Sequence, residues 1–469
     1  MSLCLLDHLS RHASDHPHAC AVREIDPSGK RQQTLTWSQL HERVNELQRT
    51  IDTAVSPRSI IMLQCPNTTA FHIAFLAILA AGRSVLPVAP DATAAEVEAV
   101  ATRSAAAAVI DGDLRIAALD IAESRTLGDP SLLLLSSGTT GQPKIVIRPA
   151  AAIDAVCQAM VESIGFSSAD CVLATLPLCH SYGLEHGLLA PIFGGSTVHL
   201  LRGFELPAAM QQLTRGGITL LPAVPSIYEM IAQLGEADSR FPQLRNAYSA
   251  GAPLPVAVSQ PLRDKYHLRV GQLYGTTEVG SITFNDPSRD GFDPASVGGP
   301  MRGVHVRILN TADPARTPSA GEEGHVAIRA DSMFRGYIEA SDAVDADGYF
   351  HTGDLGRLNH RGDLTITGRI KLLIDIGGLK VNPMEVEDVL AAHERVGACV
   401  VVPLRLSETV NRLKAVVTPR DPALEPDAGE LRAFLRDRLS PYKIPRVFEV
   451  RPSLPRTATG KILRHLVQA

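Results

Sequence analysis

The densest run of chemistry-bearing residues lies at 132–144, LLLLSSGTTGQPK. Four leucines form a buried strand. Ser136, Ser137, Gly138, Thr139, Thr140 and Gly141 then crowd hydroxyls and two glycines into six residues, with Lys144 close behind. Glycine lets backbone N–H groups turn toward an anion, hydroxyls add donors, and lysine adds charge. Such a loop suits a phosphate. Its spacing does not match G-x-x-x-x-G-K-[ST], so it is not a Walker loop. On composition alone the same residues describe a plain flexible Ser/Thr/Gly loop equally well. The rest of the chain has to decide.

The whole string SSGTTGQPK resembles the phosphate-binding signature of adenylate-forming enzymes: acyl- and aryl-CoA synthetases, peptide-synthetase adenylation domains and luciferases. Further segments resemble that family's other motifs, in the same order. QLYGTTE at 272–278 is similar to Y-G-x-T-E. The resemblance implies that Glu278 holds Mg²⁺ against the triphosphate, a hard oxygen ligand for a hard cation. It also implies that Thr277 donates to the α-phosphate and that Tyr274, with Gly275 and Thr276, borders the adenine. SAGAP at 249–253 resembles the adenine-side loop, where Gly251, Ala252 and Pro253 let backbone approach a flat ring. HTGDLG at 351–356 resembles T-G-D-L, with Asp354 accepting from the ribose hydroxyls. GRIK at 368–371 follows, implying Arg369 as a ribose or phosphate contact and Lys371 as a hinge. Gly377 and Gly378 continue that motif on the thiol side. PRTATGKILR at 455–464 is close to the C-terminal P-R-T-x-x-G-K motif, which makes Lys461 catalytic. Taken singly, each acidic residue or lysine is an ordinary turn or surface charge. Five motifs in order carry the reading together.

LPLCHSYGLEHG at 176–187 resembles the segment lining the carboxylate pocket, and His180, Tyr182 and His186 are its implied lining residues. Amino-acid-activating relatives more often place an aspartate nearby; none is present, which favours a non-amino acid. Glu185 is left open between pocket and helix surface. The family usually has Gly, then a hydroxyl and His, soon after the loop lysine. Here the run is Ile145-Val146-Ile147-Arg148-Pro149-Ala150, so no gating role carries over to it.

The resemblance implies that a small-molecule carboxylic acid attacks the α-phosphorus of ATP and releases pyrophosphate. Two anions must meet, so Mg²⁺, Lys461 and loop donors should dominate the step. The thiol of CoA then takes the acyl group as the C-terminal domain turns about Lys371. Transfer to the phosphopantetheine thiol of a separate acyl carrier protein is the alternative, because Lys461 stands eight residues from the last residue and no attached carrier domain is expected. A non-catalytic nucleotide-binding scaffold is a different class, and Glu278, Asp354, Arg369 and Lys461 together speak against it.

These residues need elements to position them. A chain of 469 residues exceeds what one core usually supports. Strand-like runs at 59–63, 84–88 and 108–110 alternate with helical periods at 35–50, 71–81 and 96–103, which implies an α/β domain with a largely parallel sheet. After about residue 295, short strands such as 304–309 and 325–328 predict a β-rich subdomain. Asn382-Pro383-Met384-Glu385 reads as a helix start. We therefore expect a large N-terminal α/β domain over 1–369, with mostly parallel sheets and the β-rich subdomain, and a small mobile α+β domain over 370–469. A net charge of −5 argues against a nucleic-acid partner. Seven scattered cysteines without a C-x-x-C pair read as reduced thiols. No secretory leader or transmembrane segment is expected, which points to the cytoplasm.

Overall fold

The computed structural model describes residues 3–27, 31–121, 124–136, 144–233, 241–310, 318–339, 344–376, 379–405, 411–439, 441–457 and 460–467. The phosphate-loop residues Ser137, Gly138, Thr139, Thr140 and Gly141, and the pair Gly377 and Gly378, lie outside them.

Two large sheets form the body. In the seven-stranded sheet, Ile60–Gln64 pairs in parallel with Ser84–Val88 on one side and Ala108–Asp111 on the other. In the nine-stranded sheet, parallel pairing runs from Cys20–Ile25 across to Gly271–Thr276. Both sheets are mixed: their edges are antiparallel, including the pairs Ser131–Leu135 with Ile145–Pro149 and Gly271–Thr276 with Gly280–Asn285. Those two antiparallel pairs carry the phosphate loop and the Thr277–Glu278 turn. Hairpin-like returns place chemistry at a sheet end, which a parallel crossover cannot do in so few residues.

The helices form where the periodicity predicts. Trp37–Ala54 buries Leu40, Val44, Leu47 and Ile51 on one face, and Thr36 with Gln39 closes a capping box at its start. Thr69–Ala80 has no charged residue and is buried on nearly every side, as an all-apolar helix must be. Ala94–Ser104 begins two residues before the expected start, because Thr93 and Glu96 form a capping box there.

Four antiparallel strands, Val304–Leu309, Gly324–Ala330, Phe350–Leu358 and Leu364–Arg369, make the β-rich unit. Its register sets Asp354 opposite Arg369. Beyond it, Val381, Val386, Leu390, Val401, Leu413, Ala415, Leu431 and Leu435 belong to a separate hydrophobic cluster beneath the sheet of Val396–Arg405, Asn411–Pro419 and Val447–Val450. Asn382 caps the helix Pro383–Ala391, its side chain accepting from Met384 N, with Pro383 in the first turn. Among the described residues, no helix is long and apolar enough to cross a membrane.

Candidate active site

The neck of the phosphate loop is closed by Ser136 N donating to Lys144 O at 2.9 Å. Chain then leaves along Ile145–Pro149, which pairs on its far side with Gly336–Tyr337. Tyr337 thereby reaches two site residues at once. The Lys144 ammonium lies 4.5 Å from the Tyr337 ring centroid. The Tyr337 hydroxyl donates to Glu278 Oε1 at 3.1 Å. Burial, then the Glu278 charge, raises the Tyr337 pKa, so the hydroxyl stays a donor. Glu278 is braced a second time, its backbone carbonyl accepting from Phe334 N at 2.7 Å. Nothing in the sequence singled out Tyr337. Its only signal is the Gly-Tyr pair at a sheet edge, whose partner is unknowable without the strand register.

On the nucleotide side, Asp354 is only 2% exposed. Tyr274 Oη donates to its Oδ2 at 2.6 Å, and Arg369 Nε donates to its Oδ1. Thr352 Oγ1 accepts from Asp354 N and holds the turn. Burial, with Asp354 next, raises the Tyr274 pKa and keeps that hydroxyl protonated. A carboxylate has about four lone-pair sites, so two remain for further donors. The adenine-side loop is presented outward: Gly251, Ala252 and Pro253 are exposed, and Gly251 has φ +86°. Gln272 Oε1 accepts from Leu254 N, tying that loop to the strand that carries Tyr274.

Lys461 comes from nearly the other end of the chain. A tight turn holds it, with Thr457 N donating to Lys461 O and Lys461 N donating to Thr457 Oγ1. Gly460 has φ +80°, and a Cβ there would stand 2.6 Å from Ser226 Oγ on the helix Pro225–Gln233, so only glycine allows this approach. Burial and then the Arg369 charge lower the Lys461 pKa, while Asp354 opposes them. The lysine therefore shares one electrostatic environment with the Asp354–Arg369 pair. Lys371 lies in the single turn Ile370–Leu372 that follows Arg369. Nearby, Asn382 Nδ2 donates to Thr367 O across the same junction.

The acid-side segment is more deeply packed than its sequence suggests. His180 is exposed and precedes the short helix Ser181–Leu184. That helix widens into a π-turn over Glu185–Leu189. The Tyr182 hydroxyl lies 3.3 Å from the carbonyls of Ala223 and Tyr248. His186 is 1% exposed and meets Tyr182 edge to face at 4.7 Å. Its Nδ1 is 2.7 Å from Tyr248 Oη and its Nε2 3.3 Å from Ser281 Oγ. Ser281 Oγ donates its one hydrogen to Glu185 Oε2 at 2.8 Å. His186 Nε2 must therefore be the N–H donor to Ser281, and Nδ1 the acceptor from Tyr248. Burial pushes the His186 pKa down to about 3, so the ring is neutral at ordinary pH. Glu185, open in the sequence between pocket and helix surface, is neither solvated nor free: it is 1% exposed and pairs with the fully buried Arg148 at 2.5 Å.

Among the described residues, no group of three or more His, Cys, Asp or Glu side chains could hold a metal by itself. Magnesium is commonly held by one or two carboxylates and substrate phosphates. Glu278 is half-buried, with Oε2 outside the Tyr337 hydrogen bond and open to a further ligand.

The sequence profile of the family described as AMP-binding enzyme matches residues 9–126 and 116–338. The chain belongs to the AMP-binding enzymes. The profile of the AMP-binding enzyme C-terminal domain matches 385–461 as well. Among curated AMP-binding relatives, a feruloyl-CoA synthase from Amycolatopsis sp is 30% identical over 484 residues, covering 97% of this chain and 96% of that one. An oxalate–CoA ligase from Arabidopsis thaliana is 28% identical over 492 residues, covering 95% of each. Among solved structures, ATP-bound MatB from Rhodopseudomonas palustris superposes with a TM-score of 0.89 at 22% identity, over 100% of this chain and 98% of that one. The apo form of MatB superposes with a TM-score of 0.79.

Proposed function

We propose that this AMP-binding enzyme is an acid–thiol ligase: it activates a carboxylic acid with ATP as an acyl-adenylate, releasing pyrophosphate, and passes the acyl group to CoA. The observation that carries the reading is that the fold joins separate motifs: Tyr274 and Arg369 both donate to the buried Asp354 carboxylate, and the turn that carries Lys461 seats Gly460 against the helix Pro225–Gln233. Relatives spanning nearly the whole chain are named as CoA ligases or synthases, which supports CoA as the acceptor over a carrier protein.

In this reading Asp354 accepts from the ribose hydroxyls while Arg369 and Tyr274 hold its carboxylate still. Gly251, Ala252 and Pro253 border the adenine together with Tyr274, Gly275 and Thr276. Ser136, Lys144 and the loop between them receive the phosphates, and Thr277 donates to the α-phosphate. Glu278 would hold magnesium against the phosphates, and the ion would supply charge neutralisation there. Lys461 offsets the charge that builds as two anions approach. Tyr182 and the neutral His186 border the acid, with His180 at the outer end of the same segment. Lys371 is the hinge for a C-terminal domain that begins near residue 370, and Gly377-Gly378 approach in the thiol step.

Pyrophosphate release from ATP with a panel of carboxylic acids, with and without CoA, tests the reading. Acid-dependent release and CoA-dependent thioester are expected. Acid-dependent release with thioester formed only on a carrier protein would overturn CoA as acceptor. No release with any acid would overturn the ligase itself.

A further inference from the structure

Three segments given separate tasks above meet at one buried ion pair. Arg148 lies on the strand Ile145–Pro149 that leaves the phosphate loop, and it is 0% exposed. Glu185 follows the acid-side helix. Ser281 is the second residue of the strand Gly280–Asn285, which follows the Thr277–Glu278 turn. Arg148 Nη1 donates to Glu185 Oε1 at 2.5 Å. Ser181 Oγ donates to the same oxygen at 2.9 Å. The other oxygen, Oε2, accepts from both Ser281 N at 3.0 Å and Ser281 Oγ at 2.8 Å. Every strong acceptor site of the carboxylate is thus spent on aligning one segment with another.

Gly280 shows how tightly the turn is seated on the pair. Its φ is +85°, and a Cβ would stand 2.6 Å from Glu185 Oε1 and 2.8 Å from Arg148 Nη2. Backbone rests directly on the two charged groups. A pair kept only for stability would be a poor choice: Arg148 Nε and Nη2 have no hydrogen-bond partner among the described residues, and well-packed apolar residues often serve as well as a buried ion pair or better. What the pair supplies and apolar residues cannot is directional bonding to three segments at once.

We infer that Arg148 and Glu185 are positioning residues for adenylation, holding the Thr277–Glu278 turn in register with the strand Ile145–Pro149 and the acid-side segment. The inference rests on the ligase reading above. It gives Arg148, which lies within the run 145–150 where this chain departs from the family's usual pattern after the loop lysine, a role of its own. The pair touches no substrate; it acts through Ser281 and Gly280 on the turn. A displacement of about 1 Å at such a turn is enough to cost on the order of a hundredfold in rate.

The test compares the parent enzyme with Glu185→Gln, with Arg148→Met/Glu185→Gln, and with Ser281→Ala, all as full chains. Glu185→Gln leaves a buried uncompensated guanidinium and is expected to fold poorly. The double variant removes both charges and should fold. In it, kcat for acid-dependent pyrophosphate release should fall about ten- to a hundredfold, while the calorimetric dissociation constant for ATP without metal stays within about twofold. Ser281→Ala keeps the ion pair and the Ser281 N bond but removes the Oγ bond, one of the two ties to the turn, and should show the same split to a smaller degree. A folded double variant with the parent's kcat would overturn the inference, as would a proportional loss of kcat and ATP affinity. Should the double variant not fold, a parental kcat in Ser281→Ala overturns it. A parent enzyme that releases no pyrophosphate with any acid would instead defeat the ligase reading, a different outcome.

Discussion

Replacing Tyr337 with Phe isolates one hydrogen bond at the point where the phosphate loop's exit strand meets the Glu278 turn. Only the hydroxyl is lost, and with it the 3.1 Å bond to Glu278 Oε1. A bond to a charged group is worth about 1.5–3 kcal/mol when enclosed. Tyr337 and Glu278 are half-buried, so screening reduces this to about 1 kcal/mol, or roughly fivefold in kcat/KM for ATP. The ring, 4.5 Å from the Lys144 ammonium, is retained in Phe. Tyr337→Leu removes the ring too. That costs about a further 0.5–1 kcal/mol or about two- to fivefold more, taking the total to roughly ten- to thirtyfold. The assay is continuous pyrophosphate release at saturating acid, with thermal melting to show that both variants fold. The order parent, Phe, Leu is required. If Phe matches the parent, Glu278 does not depend on Tyr337. If Leu is no worse than Phe, the Lys144 contact is incidental.

Lys461→Ala should fail to form adenylate from acid and ATP yet convert supplied acyl-adenylate and CoA to thioester; equal slowing of both halves would refute domain alternation. Lys371→Pro should show the opposite pattern in the same two assays, because a fixed φ restricts rotation at the hinge. Asp354→Ala should weaken ATP binding about ten- to a hundredfold through lost ribose bonds, and an unchanged ATP titration would count against it. His186 predicts an acid sensitivity. Its folded pKa is about 3 against about 6.5 unfolded, so the unfolded chain takes up a proton that the folded protein refuses. Stability is full above about pH 6.5 and falls toward pH 3, by about 1 kcal/mol between pH 7 and 5.5. His186→Gln should remove that increment in urea denaturation at the two pH values, and an unaltered pH slope would rule His186 out as its source.

Much of the site was legible because its residues sit in contiguous strings. Tyr274 and Glu278, or Asp354 and Arg369, lie close enough in sequence for spacing to suggest shared work. The helices at 37–54 and 69–80 were legible through apolar periodicity and composition. Arg148 and Glu185 were not. They stand 37 positions apart, and a charged residue carries no mark in sequence that it will be buried and paired. Glu185 adjoins a π-turn, where the helical period that would separate inward from outward residues no longer applies. Tyr337 was missed for a related reason, since its two contacts depend on a strand pairing nearly 190 positions distant in sequence. The edges of the sheets likewise turned antiparallel where a site-bearing turn had to be presented, which alternating strand and helix patterns do not reveal.

The π-turn has a consequence for how such a pocket can be altered. In an α-helix, neighbouring residues diverge by about 100° and cannot serve one partner. Here Glu185 and His186 both reach Ser281, and Ala190 N closes the wider ring onto Glu185 O. Removing one residue from 185–189 would restore an ordinary helix and swing one of the two side chains away. Point substitutions change what these side chains are, whereas a single-codon deletion changes which of them faces the site. Changes in the length of this turn are therefore a separate route by which the pocket can diverge, and a homologue one residue shorter here should present either the acid or the imidazole to the neighbouring strand, not both.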